Sequence, residues 1–149
     1  MDTLPMVRSD EFVGWREFIL GGNAIFTALS ARTGQRYTFK VRHKEAQNGY
    51  KATYFVNLLT GPDNVSDYTY LGMLDPVAGA VKLTRASRYN ADSAPVKAIN
   101  WIIGKLWAGV DISNDCALNH AGRCCRCGRM LTTPDSVARG LGPECASRL

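Results

Sequence analysis

The residues best suited to chemistry in this sequence are its cysteines, and all of them lie towards the carboxyl-terminal end. None occurs in the first 115 residues. A secreted domain that depends on disulfides normally distributes its cysteines through the fold. An odd number crowded around one C-x-x-C pattern indicates metal binding in a reducing compartment. The five cysteines are Cys116, Cys124, Cys125, Cys127 and Cys145.

The C-x-x-C pattern is formed by Cys124 and Cys127, and Gly128 follows it directly. Zinc sites use this spacing because a tight turn directs two thiolates at one ion, and the glycine permits the turn. Cys145 supplies a third thiolate at a predicted helix start. Cys125 is expected to point away from the ion.

A closed structural zinc site needs a fourth ligand, which is either His120 or Cys116. His120 stands four residues before the C-x-x-C pattern and can fold back onto the same ion. We therefore favour a Cys3His site, with Cys116 as the main alternative to the histidine. The predicted zinc ligands are His120, Cys124, Cys127 and Cys145.

Clustered thiols also occur in proteins as buried apolar cysteines, as disulfides or as a redox pair. A thioredoxin-like redox pair normally lies between a strand and a long helix near the start of a βαβ unit. Here the C-x-x-C pattern lies beyond the last predicted long helix, which argues against a redox role. A ligand pair on a turn followed by a third ligand at a helix start is typical of a treble clef.

Residues 120–146 resemble a small zinc-binding module found in many phage and mobile-element proteins. The shared pattern is C-x-x-C-G-R-x-L, followed by S-x-x-x-G-x-G-P-x-C. Residues 23–107 resemble, less specifically, the domain that often precedes this module. The resemblance implies a bacteriophage or plasmid origin, but no reaction, because the module has no established function. The matching residues are Cys124, Cys127, Gly128, Arg129, Leu131, Ser136, Gly140, Gly142, Pro143 and Cys145.

The elements before the cysteines predict an α+β fold, in which an antiparallel β-meander is packed by one amphipathic helix. Strands are predicted over 24–29, 36–43, 53–59, 67–74 and 79–84. A helix over 93–108 has apolar residues at helical spacing, and Ser93 or Asp92 is its predicted cap. A shorter helix is expected within residues 1–22. The predicted domains are 1–109 and a treble-clef-like zinc module over 110–149.

The strand over 36–43 alternates strictly and predicts a half-buried strand with one basic face. Basic residues on this face and in the zinc module are the predicted nucleic-acid contacts: Arg36, Lys40, Arg42, Arg123 and Arg126. The aromatic residues near this face are Tyr37, Phe39, Tyr50 and Tyr54. They can stack on bases if they are exposed; otherwise they belong to the core. A second basic run spans 82–105, and the strand order decides whether the two runs meet.

The sequence does not predict an enzyme. It contains two histidines, of which His120 is assigned to zinc and His43 to a solvated strand end. A catalytic zinc keeps an open coordination position, whereas four ligands are available here. There is no G-x-x-x-x-G-K-[ST] phosphate-binding loop and no deaminase-type H-x-E partner for Glu144.

We therefore expect a non-enzymatic phage accessory protein that binds nucleic acid or a nucleoprotein complex. The formal charge of +5 is compatible with such a partner. The alternative is an inhibitor of a host defence system, similar to an anti-CRISPR protein, acting by protein contact through Trp101, Trp107 and Tyr89. If the two tryptophans are not such contacts, they pack the helix onto the sheet. No signal peptide or membrane span is expected, which predicts a protein of the host cytoplasm.

Overall fold

The computed structural model describes residues 14–44, 53–63 and 66–120. The predicted ligands Cys124, Cys127 and Cys145, the predicted contacts Arg123 and Arg126, and the predicted treble clef lie outside these residues. Within them, the helices and strands are α1 (Trp15–Ile19), β1 (Asn23–Ser30), β2 (Arg36–Lys44), β3 (Thr53–Leu59), β4 (Tyr68–Asp75), β5 (Ala80–Lys82), α2 (Ala94–Trp107) and β6 (Cys116–His120).

The six strands form one antiparallel sheet in the order β5-β4-β3-β2-β1-β6. The first five are neighbours in sequence as well as in space, so the predicted meander is confirmed. Strand β6 pairs with β1, although the sequence predicted no strand there and assigned these residues to the zinc module. The division into domains at 109/110 stays a prediction, but residues 116–120 belong to the same sheet as the preceding strands.

The sheet has one core-facing side, and alternation along each strand decides which residues reach it. On β2, Phe39 and Val41 are fully buried, as the alternation predicted. Phe26 of β1 is paired with Phe39, and their ring centroids are 5.7 Å apart. Both helices contribute buried residues to this core, including Phe18 of α1. The opposite side of the sheet, which faces away from both helices, is called the outer face below.

Helix α2 covers the core-facing side with residues spaced three and four apart, as expected for an amphipathic helix. These residues are Val96, Ile99, Ile102 and Ile103. Pro95 stands in the first turn, where no hydrogen bond is lost. The predicted position of the N-cap is confirmed, but the predicted side-chain hydrogen bond of the cap is wrong. Ser93 is the N-cap residue, but its hydroxyl donates to the carbonyl of Asn90 at 2.7 Å instead of accepting from the helix.

Trp107 packs the end of α2 against the turn between β4 and β5. Its indole Nε1–H donates to the carbonyl of Pro76 at 2.7 Å. Gly79, with a φ of 70°, lies so close that an added Cβ would stand 2.7 Å from the indole. The alternative in which Trp107 packs the helix onto the sheet is therefore confirmed.

Asn100 of α2 completes the short edge strand β5. Its side-chain oxygen accepts from the backbone N–H of Val81 at 2.7 Å, and its side-chain nitrogen donates to the Val81 carbonyl at 3.2 Å. The amide thus occupies the position that a neighbouring strand would take. Because β5 has three residues, this bridge provides a large share of its hydrogen bonding.

Replacing Asn100 with alanine is expected to destabilise the protein by about 1–3 kcal/mol, because two partly buried backbone groups lose their partners. The measurement is the free energy of unfolding in urea. Lys97→Ala is the matched control on the exposed side of the same helix, and it should stay within about 0.5 kcal/mol of the parent. Equal effects of the two substitutions would contradict the bridging role of Asn100.

Candidate functional site

Strand β2 carries three basic side chains on the outer face of the sheet, as predicted. Arg36, Lys40 and Arg42 alternate with the buried Phe39 and Val41, and both arginines are exposed. The neighbouring strands β1 and β3 contain no acidic residue, and neither does β2. These three strands therefore contribute basic side chains to the central part of the outer face and no acidic ones.

The aromatic residues predicted beside this basic row lie on the other side of the sheet. Phe39 is fully buried, and Tyr37 and Tyr54 pack against the core. In the alternation along each strand, they fall on the same side as the core residues, so they face away from Arg36 and Lys40. Tyr50 lies outside the described residues. For the three described residues, the alternative that they belong to the core is correct.

Different aromatic residues reach the outer face, from strands β3 and β4. Phe55 and Tyr70 lie edge to face, with ring centroids 5.9 Å apart. The ammonium of Lys40 stands 5.1 Å from the centroid of the Tyr68 ring. Alternation in β3 could have identified Phe55 as a residue of the outer face. Its neighbours Tyr68 and Tyr70 are known only from the pairing of β3 with β4.

Within the described residues, the basic side chains of β2 do not meet the start of the second basic run at β5. Strand β2 carries the first run and β5 begins the second, and β3 and β4 lie between them, a separation of about 14 Å at the usual strand spacing. Lys82 of β5 forms an ion pair with Asp75, with an N–O distance of 3.5 Å. Hydrogen bonds from the N–H groups of Ala78 and Val77, together with Lys82, lower the pKa of the Asp75 carboxyl.

His43 does not belong to the basic face. It is half-buried on the core-facing side, and its ring lies 4.6 Å from that of Tyr54, centroid to centroid. Burial raises the pKa of the Tyr54 hydroxyl, which donates to the Leu20 carbonyl at 3.4 Å. The prediction of a solvated strand end was therefore wrong for His43, which is an aromatic packing partner.

Strand β6 contains both candidates for the fourth zinc ligand. His120 is its last residue, paired with Phe26, and its imidazole stacks on the Phe18 ring at 5.4 Å between centroids. Cys116 is its first residue and belongs to the buried core. Both lie on the core-facing side, but they are four positions apart along the strand, a distance of about 13 Å. One ion cannot be held by both while β6 is intact.

Burial makes the Cys116 thiol unsuited to ionisation. Its residue is 6% exposed, and desolvation raises the pKa of the thiol, with Asp115 adding to this effect. A hydrogen bond from the backbone of Leu29 acts in the opposite direction. The described ranges contain no group of three or more residues able to hold a metal, and the other predicted ligands follow residue 120.

Residues 119–149 match the model of a family of unknown function (DUF6011). The match starts one residue before His120 and includes every predicted zinc ligand. No curated protein and no solved structure matches the chain. Among the described residues, no helix has the length and apolar character needed to cross a membrane.

In the folded protein, alkylation of Cys116 by iodoacetamide at pH 8 should be at least about tenfold slower than in denaturant, because burial disfavours the reactive thiolate. Peptide mapping by mass spectrometry follows this cysteine separately from the other four. The same peptide from urea-denatured protein is the control. Equal rates in the two conditions would contradict the buried position of this thiol.

Proposed function

We propose that this protein is a non-enzymatic accessory protein that binds nucleic acid or a nucleoprotein complex through the outer face of its sheet. The observation that carries the proposal is the row Arg36, Lys40 and Arg42 on a face whose three adjoining strands contain no acidic residue. Such a surface attracts the phosphate backbone without regard to base sequence. Arg123 and Arg126 are proposed as further contacts.

A non-catalytic role agrees with the positions of the two histidines. His43 packs on Tyr54, and His120 stacks on Phe18, so both rings have structural neighbours on the core-facing side. Neither lies on the basic outer face, where a nucleic acid would bind. The binding function therefore rests on charge and shape, with no reacting side chain assigned.

The basic row should make binding depend strongly on salt. Replacing Arg36 and Arg42 together with alanine is expected to weaken binding roughly tenfold at low salt. It should also reduce the slope of log affinity against log salt by about 2, one for each lost phosphate contact. Fluorescence anisotropy with labelled oligonucleotides measures both quantities.

The matched control is the pair Lys97→Ala and Lys105→Ala. These lysines are exposed on α2, which packs on the other side of the sheet, and their removal changes the net charge by the same amount. The control should bind almost as tightly as the parent protein. If both double variants lose affinity equally, only net charge matters and the outer face is not the binding surface.

We also propose a structural zinc ion held by His120, Cys124, Cys127 and Cys145, within a treble-clef-like module. The strand geometry favours His120 over Cys116, because His120 directly precedes the segment that contains the C-x-x-C pattern. The thiol of Cys116 lies about 13 Å further back, in the core. Three thiolates and one imidazole would complete a closed tetrahedral site.

Metal analysis distinguishes the two ligand sets. The parent protein and Cys116→Ala should each hold one zinc per chain by native mass spectrometry, whereas His120→Ala and Cys124→Ser should lose it. Thermal unfolding of each variant, with and without added zinc, reports whether the sheet is still folded. Loss of zinc from Cys116→Ala together with full zinc in His120→Ala would overturn the proposed ligands.

A second candidate function is inhibition of a host defence system by protein contact, and the exposure of Trp101 favours it. This side chain is 39% exposed on α2, whereas Tyr89 and Trp107 pack against the core. An exposed tryptophan is a frequent anchor at protein interfaces. Both functions agree with the proposed phage or mobile-element origin and action in the host cytoplasm. Capture of a host protein that persists after nuclease treatment and in high salt would favour the inhibitor.

A further inference from the structure

The outer face carries a group of aromatic residues that lies between the basic residues of β2 and those of the loop after β5. Phe55 of β3 and the pair Tyr68 and Tyr70 of β4 are half-buried, and none belongs to the hydrophobic core. Both described helices pack on the opposite side of the sheet. These three residues, called the aromatic strip below, lie on the side of the sheet that faces away from the core.

Local contacts hold the rings of the aromatic strip in place. Phe55 lies edge to face with Tyr70, at an interplanar angle of 63°. The hydroxyl of Tyr70 is 3.1 Å from the Thr84 hydroxyl, a hydrogen bond that fixes the ring on its outer side. A rigid ring loses little conformational entropy when a ligand packs on it, so these contacts prepare the strip for binding.

Basic residues border the aromatic strip on two sides. On one side, Lys40 stands over the Tyr68 ring, and Arg42 is paired with Phe55 across β2 and β3. On the other side, the loop after β5 follows the edge of β4, and the backbone N–H of Arg88 donates to the Tyr70 carbonyl at 3.3 Å. Arg88 and Arg85 in this loop are exposed.

This arrangement distinguishes a single strand from a duplex. In a duplex the faces of the bases are occupied by stacking on their neighbours, so aromatic side chains on the surface of a sheet cannot reach them. In a single strand the bases can turn onto such rings while the phosphates contact basic residues beside them. Tyr68 and Tyr70 are two residues apart on one strand, about 7 Å, which gives successive bases separate positions.

We propose that the outer face binds single-stranded nucleic acid in preference to duplex. Bases stack on the aromatic strip, and phosphates contact Lys40 and Arg42 on one side and Arg85 and Arg88 on the other. This inference rests on the proposed nucleic-acid function, but its evidence is separate. The basic row carries the general function, whereas the aromatic strip carries the preference for a single strand.

The test compares fluorescent single-stranded DNA and RNA with duplexes of the same sequence at matched salt. The full chain should bind at least one of the single strands about tenfold or more tightly than its duplex. Phe55→Leu, which keeps an apolar side chain but removes the aromatic ring, should weaken single-strand binding about tenfold. Phe55→Trp, which keeps an aromatic ring, should bind the single strand about as tightly as the parent protein. Duplex affinity should change little in either variant.

Trp101→Ala is the matched control, because it removes an exposed aromatic ring from α2 and should leave binding unchanged. Thermal unfolding confirms that each variant is folded. Duplex affinity equal to or above single-strand affinity, or full binding by Phe55→Leu, would overturn the single-strand inference and leave the proposed function in place. Absence of binding to every oligonucleotide at low salt would overturn the proposed function itself.

Discussion

The register of the antiparallel sheet is the constraint on which the rest of the structure depends. Side chains alternate between two faces, so a shift of β2 by one residue would exchange its buried and solvent-facing residues. Pairing of Phe26 with Phe39 fixes that register, because both rings are fully buried. The same pairing places Arg36, Lys40 and Arg42 together on the outer face. The strand pairing therefore determines both the packing of the core and the charge of the outer face.

The two edges of the sheet are completed in different ways. At one edge, the Asn100 amide replaces a missing strand beside β5 and connects it to α2. At the other edge, β6 ends at His120, within the segment that matches the family of unknown function. If His120 holds zinc as proposed, part of the free energy of metal binding stabilises β6 and its pairing with β1.

Local patterns predicted most of the fold, whereas contacts distant in sequence did not follow from them. The period of two in β2 and the helical spacing of Val96, Ile99 and Ile103 each identify an element by themselves. Strand β6 has five residues and is recognisable only by its pairing with β1. For the same reason the aromatic neighbours of Lys40 were misassigned. They come from β3 and β4, and no pattern within β2 contains that information.

We propose that nucleic acid binds the outer face at strands β2, β3 and β4. The most direct measurement is a titration of isotope-labelled protein with a short single-stranded oligonucleotide, followed by NMR chemical shifts of backbone and aromatic groups. If nucleic acid binds there, the largest changes fall on residues 36–42, on Phe55 and on Tyr68 and Tyr70, and α2 changes little. Changes concentrated on α2 around Trp101, with the outer face unaffected, would contradict this proposal.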